Sequence, residues 1–134
     1  MLTPMRDRAR PVLLVDALVF GGLGVWFLAT PAAALSAVGF TLNDAAALTE
    51  ARAMYGGYEL GTAAFLYACA REPAWRRAGL TLAILVLGGL GLTRVIAGAL
   101  TGGLTPLMWG LFFAEAAGVA LNIAALVAAP RRSP

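Results

Sequence analysis

Five residues of this chain combine chemically active side chains with positions inside or beside long apolar stretches. Glu59, Arg94 and Glu115 each interrupt such a stretch, and Arg52 and Tyr55 lie shortly before Glu59. Ionisable groups at bilayer depth are costly, so they usually face a protein interior and have a partner there. Two carboxylates with one arginine would leave one acid free to exchange a proton or to hold a polar head group.

Two interpretations of these residues stay open at the level of sequence. Arg94 could form a structural ion pair with Glu59 or Glu115 that only holds helices in register. Alternatively, Glu59 and Glu115 are candidate catalytic acids. Under the second interpretation the candidate ligand-binding residues are Arg52, Tyr55, Glu59, Arg94 and Glu115. Whether the protein is an enzyme is not decided by these patterns.

Composition excludes several classes of site. The chain has 134 residues, no histidine and a single cysteine, Cys69. Histidine-based metal centres, Ser-His-Asp triads and intramolecular disulfides are therefore excluded, and we predict no metal site. A formal net charge of +3 could suggest nucleic acid. We predict no such partner, because most arginines flank apolar segments and no aromatic stacking module accompanies them. No cofactor is predicted, although a quinone needs none of the missing residues.

The apolar content predicts an integral membrane protein. Hydrophobic residues make up 60% of the chain and charged residues 13%, a balance far from that of soluble domains. Four apolar runs are long enough to approach the roughly 20 residues that cross a bilayer as a helix. We therefore predict an all-α fold, a four-transmembrane-helix bundle forming one domain over residues 1–134. The predicted spans are residues 11–29, 50–70, 78–100 and 106–129.

The arginines predict the orientation of this bundle. They concentrate at the N-terminus, in the loop at residues 71–77 and at the C-terminus, whereas the other two loops hold Asp44 and Glu50 between them and no arginine. By the positive-inside rule both termini are cytoplasmic, and the protein is a multi-pass protein of the inner (plasma) membrane. The first run also has the basic start and small-residue end of a signal peptide. Its length and Asp16 within it favour a bundle helix, but cleavage stays open.

Helical spacing assigns a polar face to the second span. Residues three and four apart share a helix face, which groups Arg52, Tyr55, Gly56, Glu59 and Ala63. Beside this face, Gly57 and Gly61 form a Gly-x-x-x-Gly pair that predicts a close helix approach. The preceding connector ends in Asn43-Asp44, either of which would cap the helix that begins at about Ala45.

Spans three and four carry matching stripes of small and polar residues. The third span groups Gly88, Gly91, Arg94 or Val95, and Gly98, and the fourth groups Leu111, Glu115, Gly118 and Asn122. Asp16 of the first span lies at a depth similar to that of Asn122. We predict a hydrogen bond between these two side chains.

The segment Glu50-x-Arg52-Ala53-x-Tyr55-Gly56-Gly57-x-x-Leu60-Gly61, followed one span later by Arg94, resembles a bacterial family of small four-helix membrane proteins. The family is domain of unknown function 4345, and we place it near the DoxX-like membrane proteins. The resemblance implies a four-helix membrane domain and no established catalytic residue. The DoxX-like neighbourhood includes quinone-linked subunits, which favours a quinone or lipid ligand by analogy.

Three functions are compatible with the sequence. The first is a non-enzymatic membrane protein that binds a lipid or quinone-like ligand, or serves as a membrane subunit or scaffold through the Glu/Arg cluster. The second is an isomerase or cyclase in which Glu59 and Glu115 perform acid–base chemistry on an isoprenoid-like substrate. The third is a proton-coupled transporter. The predicted partners are the lipid bilayer and a lipid or quinone ligand, with a homodimer or a membrane partner subunit left open.

Overall fold

The computed structural model describes residues 8–42 and 44–128, and these residues form helices without a β-strand. The helices are α1 (Ala9–Ala29), α2 (Pro31–Ser36), α3 (Ala45–Ala51), α4 (Tyr58–Arg71), α5 (Arg76–Thr101) and α6 (Pro106–Ala128). A π-helical segment, Arg52–Gly57, joins α3 to α4 without a break in helical backbone. The predicted all-α fold is confirmed for the described residues.

Three of the described helices are long and apolar enough to cross a membrane, namely α1, α5 and α6. They correspond to the predicted spans 11–29, 78–100 and 106–129, except that Ala129 lies outside the described residues. The fourth predicted span, residues 50–70, is divided among α3, the π-helical segment and α4. No single regular helix there has the required length, since the π-helical turn interrupts it.

Local sequence signals account for the helix ends. Pro31 starts α2, where its missing N–H is not needed. The Asp44 carboxylate accepts a hydrogen bond of 2.7 Å from the Ala47 N–H and so caps α3, as predicted; Asn43 lies outside the described residues. Gly102 ends α5 in the left-handed region, with φ +69°. The Thr105 hydroxyl accepts from the Met108 N–H at the start of α6.

The helices pack as two antiparallel pairs. In the first pair, α1 lies along the run from α3 to α4, with Gly24 against Leu60 and Gly56 against Leu28. In the second pair, α5 lies along α6. Contacts between the pairs are fewer. The molecule is therefore two helical hairpins whose relative position depends on a limited set of contacts.

The hydrophobic core lies at one end of the bundle. Most of its buried members lie toward the start of α1 and α5 and toward the end of α4 and α6, with Phe20 and Ala63 near the middle of their helices: Ala9, Leu13, Phe20, Ala63, Leu66, Cys69, Ala70, Leu80, Ala83 and Ala125. This is also the end at which Arg8, Arg71 and Arg76 lie, and we call it the arginine end. At the opposite end, the close contacts of the glycines are made within each hairpin.

Candidate functional site

Arg94 and Glu115 form an ion pair between α5 and α6. The guanidinium donates from Nη2 to Oε1 of Glu115 at 2.5 Å and from Nε to Oε2 at 3.4 Å. The side chains are 23% and 10% exposed, respectively. Bidentate arginine–carboxylate pairs fix orientation as well as charge, so this pair holds the Arg94 guanidinium in place against α6.

Glycine makes the room for this pair. A Cβ at Gly91 would lie 3.2 Å from Oε2 of Glu115, and a Cβ at Gly118 would lie 2.7 Å from Cδ1 of Leu87. The predicted stripes of the third and fourth spans therefore face each other. Their small residues let the two backbones approach, with the charges at the interface.

Glu59 is separate from this pair. Its Oε2 atom is buried and has no hydrogen-bond partner among the residues that the structure describes. The sequence left Glu59 and Glu115 as alternative partners of Arg94, and in the structure Arg94 pairs with Glu115. Glu59 is therefore the carboxylate left over after the arginine is paired.

Arg52 and Tyr55 lie against the C-terminal end of α1 and not beside Arg94. Nε of Arg52 donates to the Leu28 carbonyl at 3.1 Å, and the Tyr55 ring packs on Phe27 with centroids 5.3 Å apart. The carbonyls of the last helical turn lack intrahelical donors, and a cation there also complements the helix dipole. Arg52 therefore caps α1.

Four of the five residues predicted to share one face of the second span lie against the same helix, α1. Arg52 and Gly56 contact Leu28, Tyr55 packs on Phe27, and Ala63 lies beside Gly21. The wider π-helical turn also brings Ala51 and Gly56, which are five residues apart and both buried, to the same side.

The predicted close approach at Gly57 and Gly61 is wrong for the described residues. A Cβ at Gly61 would meet nothing within 4 Å, and one at Gly57 would meet only the Arg52 carbonyl of its own segment at 3.9 Å. Gly56 and Gly24 make the close contacts of this hairpin instead.

A second polar contact joins the hairpins in the core. Nδ2 of Asn122 donates to Oδ2 of Asp16 at 2.9 Å and to the Gly118 carbonyl at 3.0 Å. Asp16 is 8% exposed and Asn122 is fully buried. The predicted hydrogen bond is confirmed, and it connects α1 of the first hairpin with α6 of the second.

A groove of about 460 Å³ lies between α4 and α5 beside the ion pair. We call it the Arg94 groove; its lining residues are Tyr58, Val86, Gly89, Leu90, Thr93, Arg94 and Ala97. It is open along one side. Sequence reasoning missed Gly89, Thr93 and Ala97 as lining residues. The sequence signal for these residues was their small size and their four-residue spacing in α5. Small residues at that spacing lie on one helix face and make it shallow.

The family model for domain of unknown function 4345 (DUF4345) matches residues 9–126. The chain belongs to the DUF4345 family. The match includes all six helices except the last two residues of α6, so the two hairpins together form the family's domain. No curated protein and no solved structure matches the chain. The predicted relation to DoxX-like proteins stays a prediction.

Proposed function

We propose that the chain crosses the membrane four times. The run from Ala45 to Arg71 lies antiparallel along α1, from Arg52 beside Leu28 to Ala63 beside Gly21. A segment packed along a transmembrane helix at both ends occupies the same depth of the bilayer. The π-helical segment keeps the helical backbone continuous, so its N–H and C=O groups are hydrogen-bonded within the helix, as the hydrocarbon region of a bilayer requires. With four spans, both termini lie on one side.

We propose that the arginine end faces the cytoplasm and that the membrane crossed is the inner (plasma) membrane. Arg8, Arg71, Arg76 and Arg77 lie at one end of the helices. Arginines near the ends of spans favour the cytoplasmic face. The Arg94 groove then opens in the outer half of the bilayer.

We propose that the Arg94 groove binds an apolar ligand with a polar head, of the lipid or quinone type. The observation that carries this proposal is a groove of about 460 Å³ with apolar walls and few polar groups, among them Arg94, Thr93 and Tyr58. This volume falls within the range of small-molecule sites, and the open side would leave the rest of an apolar ligand in contact with lipid. Because Glu115 holds Nε and Nη2 of Arg94, the remaining Nη1 can donate to a carbonyl or phosphate oxygen of the head.

Lipids and quinones that copurify with the protein provide the test, measured by mass spectrometry. Gly89→Leu would fill the groove, and a Cβ at Gly89 meets nothing within 4 Å, so the helix tolerates it. Gly110→Leu is the matched control, since Gly110 is equally open but lies in α6 outside the groove. We expect Gly89→Leu and Arg94→Ala to lose a ligand that wild type and Gly110→Leu retain. Identical lipid profiles in all four proteins would contradict the proposal.

A second candidate function is acid–base catalysis on an isoprenoid-like substrate. Glu59 motivates it, since a carboxylate without a hydrogen-bond partner among the described residues is free to exchange a proton. Glu115 is less suited to this role, because both of its carboxylate oxygens accept hydrogen bonds from Arg94. Once a substrate is found, Glu59→Gln should abolish turnover. Full turnover in that variant would remove Glu59 from the mechanism.

A further inference from the structure

A second groove lies between α4 and α5, on the side of the arginine end. It has a volume of about 550 Å³, and its lining residues are Phe65, Arg77, Ala78, Thr81, Leu82 and Leu85. We call it the inner groove. It lies between the same two helices as the Arg94 groove, and most of its lining is apolar.

The two grooves follow each other along these helices. In α4, Tyr58 lines the Arg94 groove and Phe65 lines the inner groove, and residues seven apart lie on one helix face. In α5, Leu85 of the inner groove directly precedes Val86 of the Arg94 groove. The grooves therefore form one strip, which we call the α4–α5 seam.

The seam is longer than one leaflet of a bilayer. Between Arg77 in the inner groove and Arg94, α5 rises about 25 Å. One leaflet contributes about half of the ~30 Å hydrocarbon core. A phospholipid acyl chain occupies one leaflet, so it would leave part of the seam empty. A long polyprenyl chain can extend along the whole seam.

The position of Arg94 favours a ligand with an uncharged head. Arg94 lies about 10 Å from the outer end of α5 at Thr101, which is inside the hydrocarbon region if α5 crosses the membrane. A phosphate at that depth is costly. Because Glu115 already pairs with Arg94, an anionic head would also leave the site with excess negative charge. A neutral head avoids both costs.

The polar groups of the Arg94 groove suit acceptor oxygens on such a head. Nη1 of Arg94 and the hydroxyls of Thr93 and Tyr58 can each donate a hydrogen bond. Carbonyl oxygens on a neutral ring would accept these bonds without bringing a charge into the membrane. Donors on both α4 and α5 would hold the two sides of such a ring.

The inner end of the seam suits an apolar chain. Nη1 of Arg77 donates to the Leu126 carbonyl of α6 at 3.2 Å. This contact holds the guanidinium beside α6, so the methylene stem of Arg77 can line the inner groove. A chain lying there would contact this stem together with Phe65 and Leu82.

We propose that the α4–α5 seam binds a neutral prenyl lipid, a quinone-type ring with a long polyprenyl chain. The ring lies beside Arg94 with its carbonyl oxygens on the donors there, and the chain follows the inner groove toward Arg77. This inference rests on the ligand site proposed at Arg94 and narrows its occupant, since a diacyl phospholipid fits neither the charge nor the length of the seam.

Two benzoquinones with the same ring test the chain length, one with a single isoprene unit and one with a chain that can reach Arg77. Both are added at equal mole fractions to the full-length protein in phosphatidylcholine nanodiscs, and bound quinone is measured by native mass spectrometry. We expect a several-fold preference for the long chain. The preference is modest because the chain exchanges lipid contacts for protein contacts and does not leave water.

Thr81→Phe fills the inner groove and should remove this preference without weakening the short quinone. Thr81 is exposed, and its hydroxyl donates to the Arg77 carbonyl of its own helix at 2.9 Å, so we expect the variant to fold. Ala124→Phe is the matched control. Ala124 is exposed and lines neither groove, and it lies at a similar depth because Arg77 contacts the nearby Leu126 carbonyl.

Each part of the inference has its own contradicting result. Equal binding of the two quinones by wild type, or an unchanged preference in Thr81→Phe, would overturn the role of the inner groove and leave the site at Arg94. Displacement of both quinones by added phosphatidylglycerol would overturn the neutral head. If Gly89→Leu binds both quinones as wild type does, the Arg94 groove itself is not the site, and this inference fails with it.

Discussion

At the scale of single residues, the ion pair between Arg94 and Glu115 is the contact most open to a quantitative test. Removing one partner of a buried pair leaves an uncompensated charge, whereas replacing both by apolar residues can be neutral. Because Arg94 is partly exposed, we expect Arg94→Met or Glu115→Leu to reduce the free energy of unfolding by about 2 kcal/mol each. The double variant should unfold close to wild type in reversible detergent titrations. Additive losses in the double variant would mean that the two side chains do not interact.

The contact between Asp16 and Asn122 leads to a similar prediction in the core. Asn122→Leu removes the only side-chain donor that the described residues offer to the Asp16 carboxylate, and we expect a loss of about 1–3 kcal/mol. Asp16→Leu combined with Asn122→Leu should recover much of this loss, since both polar groups are then gone. Thermal unfolding in detergent measures both variants. A double variant no more stable than Asn122→Leu would show that Asp16 has other essential contacts.

Sequence predicted which charged side chains lie within the apolar helices but not how all of them pair. The contact between Asp16 and Asn122 followed from depth along the helices, which apolar run lengths determine. The choice of Glu115 over Glu59 did not follow. It depends on α5 lying close to α6 and further from α4. The distance between α5 and α4 is set by packing between the hairpins, which a single sequence does not reveal.

At the scale of elements, the π-helical segment is the feature that helical spacing could not predict. The wider turn adds a residue and shifts the angle of later side chains relative to a regular 3.6-residue pattern. Arg52, Tyr55 and Gly56 nevertheless all lie against α1, and Arg52 caps it. In sequence, Tyr55-Gly56-Gly57-Tyr58 looks like ordinary helix packing with an aromatic anchor.

Two glycines of α1 test how closely the first hairpin is packed. A Cβ at Gly24 would lie 2.8 Å from Cγ and 3.0 Å from the backbone nitrogen of Leu60, whereas one at Gly22 would meet nothing within 4 Å. Because backbone cannot move aside cheaply, we expect Gly24→Ala to lower the free energy of unfolding by about 1–3 kcal/mol. Gly22→Ala should not destabilise, since alanine favours helix by ~1 kcal/mol over glycine. Equal melting temperatures for the two variants would refute the close packing of α1 on α4.

At the scale of the whole molecule, the bundle has one packed end and one divided end. The core cluster joins both hairpins at the arginine end, and the Arg94 groove separates α4 from α5 further out. Hydropathy predicted the three spans that correspond to α1, α5 and α6. Hydropathy could not predict the groove, because protein-facing and lipid-facing sides of such helices are both apolar. Their residue composition therefore does not show which side contacts protein and which contacts lipid.

The number of spans can be decided with single cysteines and a membrane-impermeant maleimide in intact cells. Cys69 is fully buried, and Cys69→Ala provides a background without thiols. Phe40→Cys, Glu72→Cys and Thr105→Cys then place one thiol in each of the three loops. Four spans predict that the sites at 40 and 105 react from outside and that the site at 72 reacts only after permeabilisation. If the run from Ala45 to Arg71 lay on one surface, the sites at 40 and 72 would react together and the site at 105 would not. That pattern would contradict the four-span bundle and place the Arg94 groove in the wrong leaflet.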